Sequence, residues 1–222
     1  MSSPRTSPSR SLLGLAALVL AAFAGATWLA SAHRPTARAL PVLSQVPPFR
    51  LVEASGHEVS LADLRGAPWI ADLVYTRCAG ICPRISEEMA RLQRETSDLP
   101  ELHFVSFTVD PETDRPEVLR SYRERFTDDP TRWLFLTGDA AQIRRIAAEG
   151  FLLPFRRGDA AAGDLPLLHS SRLVLIDGRG RVRGTYDVKD AEAMLAIRSD
   201  LRRLGESGDG LSNPADPAAS AG

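Results

Sequence analysis

The stretch WIADLVYTRCAGICPRIS, Trp69–Ser86, changes character halfway along. Trp69–Tyr75 is almost continuously apolar, the pattern of a strand buried on both faces of its sheet. The second half opens a helix. Ile85, Met89 and Leu92 recur at i, i+4 and i+7, which predicts a helix from about Cys82 to Thr96. Pro83 suits its first turn, where a missing N–H leaves no helical bond unmade. Strand, short connection and helix place Cys78 just past the strand and Cys82 at the helix mouth. In open α/β sheets that carboxyl edge is where ligands bind. The chain has no other cysteine.

Working outward, strands and helices continue to alternate. LHFVSFTV (Leu102–Val109) is β-branched and aromatic, hence a second strand. Asp114 and Glu117 have the spacing of a capping box, with Pro116 in the first turn. The helix they predict carries Val118, Tyr122 and Phe126 on one face. WLFL (Trp133–Leu136) is a short strand, and Asp139 is placed to cap a helix bearing Ile143 and Ile146. RLVLID and RVRGTY flank Asp177-Gly178-Arg179-Gly180 and predict a β-hairpin. Met194, Ile197, Leu201 and Leu204 line a last amphipathic helix. Strand–helix–strand units, then a hairpin and a closing helix, give an α/β sandwich, a mixed central sheet flanked by helices in a thioredoxin-like order.

The ends differ from this middle. Arg5 and Arg10 precede Leu12–Ala32, 21 residues without a charge, long enough to span a bilayer. The stretch finishes in Ala30-Ser31-Ala32, which a signal peptidase could cut. Residues 1–32 are therefore predicted to be a membrane anchor or an export signal. The anchor is favoured because the apolar run is longer than a usual signal core. Either way, the rest of the chain is exported. Residues 33–45, rich in Pro, Ala and Arg, are predicted to be a tether. Residues 205–222 have almost no apolar side chains and are predicted to be a disordered tail. The folded domain is then 46–204. A net charge of -1 gives no electrostatic case for nucleic acid as a partner.

Outside the cytoplasm, two thiols persist only if a partner reduces them or a metal holds them. A helix N-terminus near Cys82 favours its thiolate, the form used in both redox exchange and metal binding. The C-x-x-x-C spacing alone leaves a disulfide, a redox couple and half of a metal site open. Two cysteines are too few for an ordinary structural zinc site. Two thiolates with one imidazole suit Cu(I), or Cu(II) with a weak further ligand. Of the four histidines, His33 lies in the tether, His57 in a polar turn and His103 inside a strand. His169 ends an aperiodic connection, Leu153–Ser170, long enough to be functional. It is the candidate third ligand.

RCAGICPRIS with Cys78, Cys82 and Pro83, LHSS with His169, and TVDPETDRPEVLRSY around Asp110 and Asp114 together resemble the Sco/SenC family of copper-binding, thioredoxin-fold proteins. The resemblance spans about residues 46–204. It implies a membrane-tethered copper chaperone facing the periplasm or the intermembrane space, with copper, Cu(I) or Cu(II), held by Cys78, Cys82 and His169. It also implies two partners: the cytochrome c oxidase subunit whose copper centre is assembled, and a copper donor protein. For a bacterial chain this means the inner membrane, with the soluble domain in the periplasm. The alternative is a thiol–disulfide oxidoreductase with Cys78 and Cys82 as its catalytic pair, acting on cysteines of an exported partner. A disulfide of purely structural role is a third option, though so short a loop contributes little entropy. The chain departs from the family pattern at Ala79-Gly80, where Pro and an acidic residue are common, and at Leu168, where an acid commonly precedes the histidine.

Overall fold

The computed structural model describes residues 39–153 and 170–206. Eight strands form one sheet: β1 (Ser44–Gln45), β2 (Arg50–Glu53), β3 (Glu58–Ser60), β4 (Trp69–Val74), β5 (His103–Thr108), β6 (Trp133–Thr137), β7 (Arg172–Ile176) and β8 (Arg181–Asp187). Their order is β1-β8-β7-β4-β5-β6-β2-β3. β4, β5 and β6 pair in parallel, and every other pair is antiparallel. Among the described residues the four α-helices are α1 (Ile81–Glu95), α2 (Pro116–Arg123), α3 (Ala140–Arg145, running on into a wider π turn over Ile146–Gly150) and α4 (Ala191–Glu206), with one short 3-10 helix at Leu61–Leu64. This is the predicted α/β sandwich with a mixed sheet.

All six residues of β4 are buried, because each face of the strand meets a separate core. Ile70 and Val74 join Ile85, Met89 and Leu92 of α1, Leu119 and Tyr122 of α2, and Met194, Ile197 and Leu201 of α4. Trp69, Ala71 and Leu73 face Phe49, Leu61, Ile143, Ile146 and Phe151 on the other side. There Phe107 packs edge-on against both Phe49 and Phe151, with centroids 5.6 and 5.5 Å apart. The period-2 alternation of β4 thus assigns its residues to two cores.

Three sequence expectations need correction. First, Asp114 does not cap α2: the cap residue is Arg115, with no side-chain bond, because the Asp114 carboxylate is taken by Thr76 and Thr108. Second, α2 stops at Arg123. Phe126 lies beyond it, and Val118 is 38% exposed while its neighbour Leu119 is buried. Third, the polar turn containing His57 joins two strands, β2 and β3, that the sequence does not reveal. They are too short for alternation to show, and β2 ends on a buried acid, Glu53, bonded to Arg123 at 2.7 Å.

The last residues of the stretch read as a tether are held on the domain. Ser44 and Gln45 pair with β8, and Arg183 donates to the carbonyls of Leu40 and Pro41 while pairing with the fully buried Asp177. Residues 1–38 and most of the predicted tail lie outside the described residues, as does the predicted anchor. Among the described residues no helix is long and apolar enough to cross a membrane.

Asp139 does cap α3, accepting from the Gln142 N–H at 2.7 Å. Asp139→Ala is expected to destabilise the domain by about 1 kcal/mol. Urea unfolding checks this, and an unmoved midpoint would show that the cap contributes nothing.

Candidate metal centre

At the carboxyl end of β4 the chain leaves the sheet and turns sharply, the Cys78 N–H donating to the Tyr75 carbonyl at 3.2 Å. Gly80 then starts α1. Its φ is -111°, and a Cβ there would meet nothing within 4 Å. No atom beyond its chain neighbours stands where a side chain at that position would begin. Cys78 and Cys82 are brought together as free thiols, both buried. The Cys82 N–H points at the Cys78 sulfur from 3.4 Å.

The two thiols are not equivalent. Burial alone would raise the Cys78 thiol, but the N–H groups of Cys82 and Gly80, helped by the Cys82 thiol and the Tyr75 side chain, outweigh it and leave Cys78 below the usual thiol range. Burial pushes Cys82 far up, and the neighbouring Cys78 sulfur and Asp72 push the same way. The helix N-terminus therefore favours the thiolate of Cys78 and not that of Cys82, opposite to the sequence expectation. Cys78 lies outside the helix with its sulfur turned to the first N–H groups, whereas Cys82 points into the core beneath α1.

Loop 110–115 braces the connection from the side. Asp114 accepts from the Thr76 hydroxyl (2.5 Å), the Thr76 N–H (3.1 Å) and the Thr108 hydroxyl (2.6 Å). Asp110 accepts from Arg77 at 2.7 Å. In the sequence Asp110 stands out only as part of a resemblance, and Asp114 only there and as an expected helix cap, because their partners are distant in the chain. Beneath the site, Asp72 interrupts the apolar run of β4. It is fully buried with no well-formed hydrogen bond to either oxygen, and the Ser106 hydroxyl opposite it gives only partial relief. A lone acid in an otherwise apolar strand is the sequence signal that could have found it.

Of the histidines, His103 begins β5 opposite Trp69, at the end of the sheet away from Cys78. Burial lowers its imidazole below the ordinary range. His57 is exposed in the β2–β3 turn. Neither meets the cysteines. His33 and His169 lie outside the described residues. Among the described residues no group of three or more His, Cys, Asp or Glu side chains could hold a metal ion. The pair Cys78 and Cys82 supplies two soft ligands, which suit Cu(I) better than a hard cation.

Known proteins share this fold. The SCO1 protein homolog of Bacillus subtilis is 30% identical over 164 residues, covering 73% of this chain and 83% of that protein. A SCO1/SenC family lipoprotein from Bacillus anthracis superposes with a TM-score of 0.66 at 29% identity, over 74% of this chain and 97% of that one. BsSco, a member of the Sco family of cytochrome c oxidase assembly proteins in which a disulfide switch has been identified, gives 0.65 at 29%, over 75% and 97%. Yeast Sco1, solved with copper bound, shares the fold at 22% identity with a TM-score of 0.60, over 81% and 96%. The family model SCO1/SenC matches residues 39–204. The chain is therefore a member of the SCO1/SenC family.

Proposed function

We propose that this protein is a membrane-tethered copper carrier. It binds one copper through Cys78, Cys82 and His169, and passes it to the cytochrome c oxidase subunit whose copper centre is being assembled. A donor protein supplies the metal. The observation that carries the reading is the pair of free thiols at the strand–helix edge, Cys82 N–H to Cys78 sulfur 3.4 Å, in a chain whose relatives include copper-bound structures. Copper here is cargo. Each thiol must shed its proton to bind it, so binding releases protons and strengthens as pH rises. Cys78 gives up its proton readily, and Cys82 does so only against strong burial. The anchor is Leu12–Ala32, with the domain in the periplasm. If Ala30-Ser31-Ala32 is cut, the domain is exported free.

The test is a copper titration of the reduced fragment beginning at His33. About one copper per chain is expected. His169→Ala should weaken Cu(II) binding sharply and change its absorption spectrum, since the imidazole is the one borderline ligand in a soft set. An unchanged spectrum and stoichiometry in that variant would remove His169 from the site.

A second reading, thiol–disulfide exchange on an exported partner, is favoured by the unequal thiols: a low-pKa attacking Cys78 beside a protonated, buried Cys82 is the order such exchange uses. Reduction of a partner disulfide without metal, retained in His169→Ala and lost in either Cys→Ser variant, would select it.

A further inference from the structure

The Asp114 carboxylate is fully buried, yet it touches neither sulfur. It bridges the ends of two parallel strands. Thr108 closes β5, and Thr76 stands two residues beyond β4 and two before Cys78. Three donors converge on it, and its own N–H and that of Thr113 donate to the Asp110 carbonyl at 2.8 and 3.1 Å. The Thr108 hydroxyl that donates to Asp114 also accepts the Asp110 N–H at 3.0 Å. The bracket is thus tied at both ends. Its free arm is the Thr76 backbone, and the turn held there is the one in which the Cys78 N–H meets the Tyr75 carbonyl.

A capping role, the ordinary use of an acid before a helix, is excluded because Arg115 takes the cap position. A surface role is excluded by burial. What remains is orientation of the turn. From this we infer that Asp114 is a positioning residue for Cys78: by fixing both the N–H and the hydroxyl of Thr76, it keeps the Cys78 sulfur against the start of α1, facing Cys82. The inference rests on the reading of Cys78 and Cys82 as the working pair, for either copper or disulfide exchange.

Preorganisation of this kind shows in the equilibrium between two thiols and one disulfide. With glutathione as the redox partner, the Cys78 and Cys82 thiols and one glutathione disulfide give the Cys78–Cys82 disulfide and two glutathione thiols. Two electrons and two protons pass from the protein to glutathione. The equilibrium constant measures the effective concentration of one sulfur at the other.

The full chain in detergent is equilibrated with glutathione buffers at neutral pH, and the disulfide fraction is read by alkylation and mass. Asp114→Ala should lower the constant about tenfold, because a freed turn spreads the sulfur over more positions. Asp114→Asn, which can still accept from Thr76, should fall between Asp114→Ala and the parent. Ile197→Ala, a core truncation in α4 that touches none of the Asp114 hydrogen bonds, should lower stability generally and leave the constant at the parent value. If Asp114→Ala does not fold, Thr76→Val removes one donor while keeping the N–H, and should lower the constant by a few-fold. A folded Asp114→Ala, or Thr76→Val in its place, with the parent constant overturns the inference. So does an equal drop in Ile197→Ala. The copper reading is separate: a parent that binds no copper but shows the Asp114 effect keeps the positioning role and loses the carrier function.

Discussion

Replacing Cys78 and Cys82 together with Ser is expected to abolish high-affinity copper binding, with a loss of at least about a thousandfold, or roughly 4 kcal/mol. A serine hydroxyl is hard, does not ionise near neutral pH, and offers Cu(I) little. The single variants should differ in a second respect. Cys78→Ser changes a residue whose sulfur already meets the N–H of Cys82, so its oxygen inherits a donor and the fold should tolerate it. Cys82→Ser places a hydroxyl in the core beneath α1, where burial is nearly complete, and should also lower thermal stability by about 1–3 kcal/mol. Competition against a Cu(I) chelator, paired with thermal unfolding of the apo forms, separates the two effects. Parent-like affinity in Cys82→Ser would exclude it as a ligand.

The second large effect is at Asp72. Burial raises its carboxyl from 3.8 to about 7, and Ser106, opposite it in the β4–β5 register, works against the rise without cancelling it. Ser106 already serves as acceptor for the Trp133 indole N–H at 2.9 Å. The folded state therefore keeps a proton that the unfolded chain releases at lower pH. Stability from this group is intact below about pH 4, declines as pH rises through about 7, and levels off after a loss of roughly 4 kcal/mol. Asp72→Asn removes the titration but leaves a buried amide. Its stability relative to the parent should therefore rise by about 3 kcal/mol between about pH 4.5, where only the unfolded chain has lost the Asp72 proton, and about pH 8, where both states have. Urea unfolding of reduced protein at both values measures the difference. A gap that does not change with pH would mean that Asp72 is not a buried acid of raised pKa.

Much of the fold is legible in the sequence where a local signal is strong. Trp69–Tyr75 announces a strand buried on both faces, and Ile85, Met89 and Leu92 announce the helix after it. Together they set where Cys78 and Cys82 stand. Signals fail where a residue's partner is distant. Asp114 sits at capping distance from Glu117, yet Thr76, 38 residues away, claims its carboxylate. Glu53 hides a strand because its ion pair with Arg123 spans 70 residues. The order of the two thiol pKa values depends on which sulfur faces the helix N–H groups, and spacing does not encode that. Copper titration of His169→Ala tests whether its imidazole meets the cysteines.

The short β1 has a consequence for self-association. β8 without it would be an edge strand with unsatisfied N–H and C=O groups, the template on which sheets of separate molecules join. Leu43 and Val46 donate to the Val182 and Gly180 carbonyls, and Ser44 lies opposite Val182. The arriving chain thereby seals the border of the sheet. A fragment cut at Val46, the boundary suggested by composition, strips that seal and removes Leu40 and Pro41, whose carbonyls Arg183 holds. The segment leading into the domain is also the one that covers the β8 edge of the sheet.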